Sequence, residues 1–310
     1  MRAAEATQAI RAEVGKAIVG QEAAVEQTLV ALLAGGHVLL EGVPGIAKTL
    51  LVRTLAKSLD LEYGRIQFTP DLMPSDVIGT NIFDPKVNDF RLRKGPIFVN
   101  VLLADEINRT PPKTQASLLE AMEERRVTID GEAYPLPPPF AVFATQNPIE
   151  FEGTYPLPEA QQDRFLLKVV LGYPSADVEL NVLRRHHAGF KPQDLEAAGI
   201  RAVLKQEELA ALQEEVRATT VEDKVFDYIY QIVLSTRESS SVLYGASPRA
   251  GIAMLNCSKA LAAIRGRDFV IPDDVKELAP AVLRHRVLLR PEAEIEGLTV
   301  DRVLARLGGR

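Results

Sequence analysis

Cysteine is almost missing from this chain. Of 310 residues one is cysteine, Cys257, so no disulfide can close within it. Its neighbours Ala253, Met254, Leu255 and Asn256 have a helical, apolar pattern, which predicts a small buried hydrophobe rather than a nucleophile, in a reducing compartment. Tryptophan is absent and aromatics make up 6%. Positive charge is in deficit, with 36 Lys and Arg against 42 Asp and Glu. The resulting net charge of -6 argues against broad attraction to nucleic acid or anionic lipid. A protein partner is the expectation, and no nucleic acid. No run approaches the roughly 18 apolar residues of a membrane span. The stretch 1–16 is a charged amphipathic pattern without the apolar centre of a signal peptide. No membrane insertion and a cytoplasmic setting follow as expectations.

What is present is ample core material. The 46% hydrophobic and 25% charged composition is that of a globular protein, and the length exceeds what one core usually serves. Apolar runs bounded by Gly, Pro or polar residues predict strands over 37–40, 65–68, 97–104, 141–145 and 165–170. Helical stretches over 49–59, 112–125 and 159–164 alternate with them, so the predicted class is α/β with a parallel sheet covered on both faces. After Pro174 strand signals stop. Helical periodicity covers 176–187, 206–217, 221–235, 247–265 and 272–284. Two domains are expected, 1–174 and an all-helical 175–310, jointed at Gly172, Tyr173 and Pro174 and around 189–199.

The stretch Gly42, Val43, Pro44, Gly45, Ile46, Ala47, Lys48, Thr49, Leu50 lies between the first strand and a helix. Such a loop wraps phosphates with backbone N–H groups at a helix N-terminus; here Lys48 would neutralise the outer phosphates and the Thr49 hydroxyl would hold magnesium. The pattern asks for glycine before the lysine, and this chain has Ala47. A methyl group is tolerated there if the residue has negative φ, as a helix start does.

The third apolar run ends in Asp105 and Glu106, which places two acids at the carboxyl edge of the sheet beside the phosphates. Asp105 would hold magnesium through its water shell and Glu106 would orient the attacking water. The next strand ends in Gln146, Asn147 and Pro148, and Asn147 is the candidate γ-phosphate sensor. A further cation is needed for transition-state charge. Arg164, just before the fifth strand, is one candidate, with local pairing to Asp163 or Glu159 as its alternative. Arg249 is another: Ser247 can cap and Pro248 sits at the first position of a helix. That leaves Arg249 unfavourably placed against the helix dipole unless it meets an outside anion.

With these residues in hand, the chain resembles the MoxR ATPases, AAA+ proteins of the helix-2-insert clade, over essentially its whole length. The matching strings are 18–21, 41–49, 68–76, 103–109, 144–148, 157–165 and 245–250. The resemblance implies a P-loop core with a five-stranded parallel sheet in the order 5-1-4-3-2, an α-helical lid, and ATP with Mg2+ as cofactors. It implies that Val19, Gly20 and Gln21 lie near the adenine, that Arg164 is a trans-acting arginine finger and that Arg249 is the lid's sensor arginine. It further implies a ring of identical subunits, usually a hexamer, with protein clients and often a partner carrying a von Willebrand factor A domain.

Two segments gain meaning from it. The alternating stretch 78–96, within an insert of about 70–96, looks like the clade's helix-2 hairpin. Residues 126–137, with Asp130 and Gly131 at the turn, read as a hairpin before the sensor strand. Arg91, Arg93 and Lys94 form no large basic patch, and no aromatic stacking platform is evident beside them. The same core serves nucleic-acid motors and non-catalytic nucleotide switches, so both remain alternatives to a chaperone-like ATPase.

Overall fold

The computed structural model describes residues 2–86, 88–147 and 154–307; Val87, in the expected hairpin turn, and Pro148 lie outside them. Helices α1 (Ala3–Gly15) and α2 (Glu22–Leu33) precede strand β1 (Val38–Glu41), helix α3 (Lys48–Ser58) and strand β2 (Tyr63–Gln67). A short helix α4 (Pro74–Ile78) leads into the hairpin β3 (Gly79–Asp84) and β4 (Asp89–Lys94). Strand β5 (Val101–Asp105), helix α5 (Pro112–Glu124) and the hairpin β6 (Arg126–Ile129) and β7 (Glu132–Pro135) come next. Strand β8 (Ala141–Gln146), helix α6 (Glu159–Gln162) and strand β9 (Leu167–Val170) close the sheet.

The sheet order is β2-β5-β8-β1-β9, all parallel, which is the expected 5-1-4-3-2. Strands buried on both faces need apolar residues at every position, and side chains alternate between two cores. Val38, Leu40, Leu103 and Phe143 join one core with α1, α2 and α3. Leu39, Leu102, Ala104 and Val142 join the other with Leu118, Leu119 and Met122 of α5.

The helical part comprises α7 (Ala176–His187), α8 (Gln206–Arg217), α9 (Asp223–Glu238), strand β10 (Val242–Tyr244), α10 (Pro248–Ile264), α11 (Pro272–Leu283), strand β11 (Leu288–Leu289), α12 (Pro291–Ile295) and α13 (Val300–Leu307). Leu209, Leu261 and Leu278 from its helices share the first core with α1 and α2.

Several boundaries differ from expectation. The run 97–104 is strand only from Val101, because local turn bonds such as Phe98 N–H to Gly95 O shape its first half; Ile97 and Val99 are buried without pairing. The fifth strand begins at Leu167, since Arg164 and Phe165 donate into the turn that ends α6. Strand signals also do not stop at Pro174: β10 and β11 form an antiparallel ribbon too short for visible alternation. Ser247 does not cap α10; its hydroxyl turns to Asp163 at 3.3 Å.

Candidate nucleotide site

β1 delivers the chain into the loop 42–47 and α3 carries it away. Gly42 is required by packing: a Cβ there would stand 2.3 Å from Ile46 Cδ1 and 2.6 Å from Leu171 O. Gly45, at φ +85°, has open space where its Cβ would be. Ala47 breaks the expected rule. It lies in the left-handed region at φ 67°, ψ 21°, where a methyl is strained, so it does not escape glycine's requirement by taking negative φ. No side chain caps α3 and its first turn holds no acid. The first intrahelical bond is Leu51 N–H to Ala47 O, so the N–H groups of Lys48, Thr49 and Leu50 precede the ladder and suit phosphate oxygens. The Lys48 ammonium donates to Gly42 O and, at 3.5 Å, to Val43 O. Burial holds its pKa below the usual lysine range, while Asp105, Glu106 and Glu41 pull it back up.

β5 sets Asp105 and Glu106 at the same edge. Thr145, on neighbouring β8, ties the two together: its hydroxyl donates to Asp105 Oδ1 at 2.6 Å and accepts the Glu106 N–H at 2.8 Å. Arg65 on β2 donates to Asp105 Oδ2 from Nε at 3.1 Å and Nη2 at 2.7 Å, and to Gln67 Oε1 at 2.8 Å. Gln67 Nε2 in turn donates to Glu106 Oε2 at 2.9 Å, where Arg109 Nε also pairs at 2.9 Å. Glu106 itself is left-handed at φ 57°, so two strained residues, Ala47 and Glu106, flank one site. Asn147 is buried directly after β8 at this edge. Arg65, Gln67, Arg109 and Thr145 escaped the sequence reading; the period-2 pairing of Arg65 and Gln67 before a predicted acidic strand end was the available signal.

Asp105 and Thr49 fit magnesium in donor chemistry, since hard oxygens suit that ion and Asp105 Oδ1 keeps a lone pair beyond the one bond it accepts, while Oδ2 is taken up by Arg65. Among the described residues no cluster of three or more His, Cys, Asp or Glu could hold a metal by itself.

Val19, Gly20 and Gln21 abut the joint after β9. Gln21 Nε2 donates to Gly172 O at 3.2 Å, and a Cβ on Gly20, at φ +72°, would meet Val178 of α7 at 2.7 Å.

Arg164 and Arg249 lie elsewhere. With Gly36, His37, Glu123 and Arg286 they line a cleft of about 240 Å³ at the amino-terminal edge of the sheet. β1 starts beside that cleft and ends at the phosphate loop, so roughly 13 Å of strand separates the two. Arg164 pairs with Glu123 at 3.3 Å, rather than with Asp163 or Glu159, and Arg249 pairs with the same carboxylate at 2.8 Å.

On the insert hairpin, Phe83 and Phe90 stand edge to face across the strands at 5.5 Å and are exposed. The two rings face each other across the strands, while Arg91 alternates to the opposite face of the hairpin and pairs with Asp84 at 3.3 Å. Asn81 Nδ2 donates to Asp130 at 2.9 Å and joins this hairpin to the second one. Cys257 is buried, with its thiol pushed up to about 12 by desolvation, as expected of a packing residue. Among the described residues no helix is long and apolar enough to cross a membrane.

Residues 37–167 match the model of the ATPase family associated with various cellular activities (AAA), and residues 234–307 match the AAA lid domain. Fold and site thus define an AAA+ ATPase, a nucleotide-binding ATP hydrolase. Chaperone MoxR1 of Mycobacterium tuberculosis is 47% identical over 95% of this chain and 79% of its own length. Protein YeaC of Bacillus subtilis is 49% identical over 95% and 90%. A solved candidate ATPase from Cytophaga hutchinsonii superposes with a TM-score of 0.89 at 44% identity, covering 98% of this chain and 94% of that one. The chain belongs to the MoxR family of AAA+ ATPases.

Proposed function

We propose that identical copies of this chain form a ring, a hexamer, in the cytoplasm. Each ATP would lie between the phosphate loop of one copy and Arg164 and Arg249 of the next, and its hydrolysis would drive remodelling or maturation of a protein client. The observation that carries this reading is the separation of charge along β1. Lys48 stands at one end, while Arg164 and Arg249 share Glu123 at the other, beyond reach of their own loop. Charge that develops on a transferring phosphoryl group needs such a cation, and a neighbour can receive it.

In this scheme the loop amides and Lys48 hold the phosphates, Val19, Gly20 and Gln21 face the base, Glu106 orients water and Asn147 senses the γ-phosphate. Thr49, and through water Asp105, would hold Mg2+, which would supply neutralising charge to the outer phosphates. A protein client is supported by the relative named a chaperone. A partner with a von Willebrand factor A domain rests on the family resemblance, and the two hairpins are the candidate client-facing parts.

The test is complementation. Glu106→Gln and Arg164→Ala variants should each hydrolyse ATP at least a hundredfold more slowly than the parent, and an equal mixture should regain activity because some interfaces combine an intact Glu106 with an intact Arg164. Arg164→Ala turning over at the parental rate where rings form sinks the shared site. Affinity capture on ATP-loaded Glu106→Gln then identifies the client. The exposed Phe83 and Phe90 of the insert hairpin favour a second reading, a nucleic-acid motor, which predicts salt-sensitive stimulation of hydrolysis by single-stranded DNA.

A further inference from the structure

Glu123 occupies the last turn of α5, where a carboxylate opposes the helix dipole. Arg249 occupies the first turn of α10, where a cation does the same. Each is misplaced on its own helix, and they meet at 2.8 Å between Arg249 Nη2 and Glu123 Oε1. The second oxygen, Oε2, takes Arg164 Nη2 at 3.3 Å. All three side chains are part exposed, at 30% for Arg164, 41% for Glu123 and 50% for Arg249, where ion pairs add little stability. Local rules broken without a gain in stability point to function. The end of α5 is also fixed: Arg125, left-handed at φ 55°, donates to Gly35 O at 2.5 Å and to Phe140 O, which pins the turn carrying Glu123 to the sheet edge.

We propose that Glu123 is a positioning residue for hydrolysis, holding Arg164 and Arg249 together as one aligned pair that meets the terminal phosphates of a neighbouring copy's nucleotide. It rests on the trans roles proposed above for the two arginines. Each arginine spends one terminal nitrogen on Glu123 and keeps the rest of its planar fork for phosphate oxygens. Without the carboxylate two guanidinium groups repel each other on long side chains, whose rotamer freedom must be lost again at each turnover.

The experiment measures steady-state ATPase activity of the full chain against protein concentration, with binding of a fluorescent ATP analogue measured in parallel. Glu123→Gln is expected to lower the plateau rate per subunit about tenfold while nucleotide affinity stays within about twofold; Glu123→Asp, which keeps the charge but shortens the reach, should fall between it and the parent. Arg164→Ala and Arg249→Ala are run alongside. If both lose activity while Glu123→Gln and Glu123→Asp keep the parental plateau, the positioning role is overturned and the shared site stands. A plateau above the parent for Glu123→Gln overturns it too, and makes the carboxylate a competitor of phosphate. If the arginine variants keep the parental rate, the shared-site reading fails and takes Glu123 with it. Thermal melting keeps these outcomes apart from misfolding: should Glu123→Gln melt early, Glu123→Asp carries the test, an intermediate plateau supporting the role and a parental one overturning it.

Discussion

Arg286, 3% exposed in its side chain, places Nε 2.5 Å from Asp163 Oδ1, and so ties the end of α11 to the residue before Arg164. Its other nitrogens donate to the carbonyls of Phe165 at 2.7 Å, Leu166 at 3.0 Å and Val282 at 2.6 Å. Burial lowers the guanidinium pKa and Asp163 raises it again. The lid therefore meets the core through a nearly dry ion pair beside the two candidate trans arginines.

Removing one partner of such a pair leaves a buried charge uncompensated. Asp163→Asn is expected to destabilise the fold by about 3 kcal/mol, read as a lower urea midpoint with unchanged slope. Arg286 keeps its carbonyl acceptors, so the variant should still fold at low temperature. An unchanged midpoint means the pair holds nothing.

Thr145 makes the second prediction. Valine matches its shape but neither donates to Asp105 nor accepts the Glu106 N–H. Thr145→Val should cost about 2 kcal/mol for the stranded buried groups and lower kcat tenfold or more, because both acids lose their common anchor. Thr145→Ser keeps the hydroxyl and should recover most of each. A serine variant as impaired as valine would show that the methyl, not the hydroxyl, matters.

Some of this arrangement was legible in the sequence. The sheet order came with the family resemblance, while the strands came from apolar runs, which are continuous in the central β1, β5 and β8 because strands buried on both faces have little choice of residue. The placement of Lys48, Asp105, Glu106 and Asn147 at one edge of the sheet was legible because each ends or follows a strand or loop with a strong local pattern. Thr145, Gln67 and Glu123 were not, because their roles depend on which strand or helix end lies alongside, and register is a tertiary fact. Ala47 shows the converse error. A helix-start argument assigned it negative φ, but the loop closes through a left-handed residue at that position.

That backbone gives a third prediction. Glycine at position 47 removes strain of about 1 kcal/mol and adds a similar or smaller entropy to the unfolded chain. Ala47→Gly should therefore be no less stable than the parent and bind ATP as well. Ala47→Val places a β-branched residue at positive φ and should lose more than about 1 kcal/mol together with nucleotide affinity, measured by denaturation and analogue titration. Equal behaviour of the two variants contradicts the left-handed assignment.

Two buried histidines make stability depend on pH. His37 Nδ1 accepts the Val142 N–H at 3.0 Å, so Nε2 carries the ring proton and donates to Met122 O at 3.0 Å. Desolvation first, then Arg125, pushes its pKa down to about 3. His285, bonded through Nε2 to Phe165 O, is held well below its ordinary value by burial and by neighbouring Arg286. Both are neutral when folded. As pH falls below the unfolded value of about 6.5, the unfolded chain binds protons that the folded chain refuses, so stability drops with acidification. The slope approaches about 1.4 kcal/mol per pH unit for each histidine. Urea unfolding at pH 7.5 and pH 5.5 should therefore differ by roughly 2–3 kcal/mol, with the higher pH more stable. In His37→Gln about half of that difference should vanish. A parent whose stability is flat across this interval shows that both rings protonate inside the fold, and one that keeps half of the difference shows that one does.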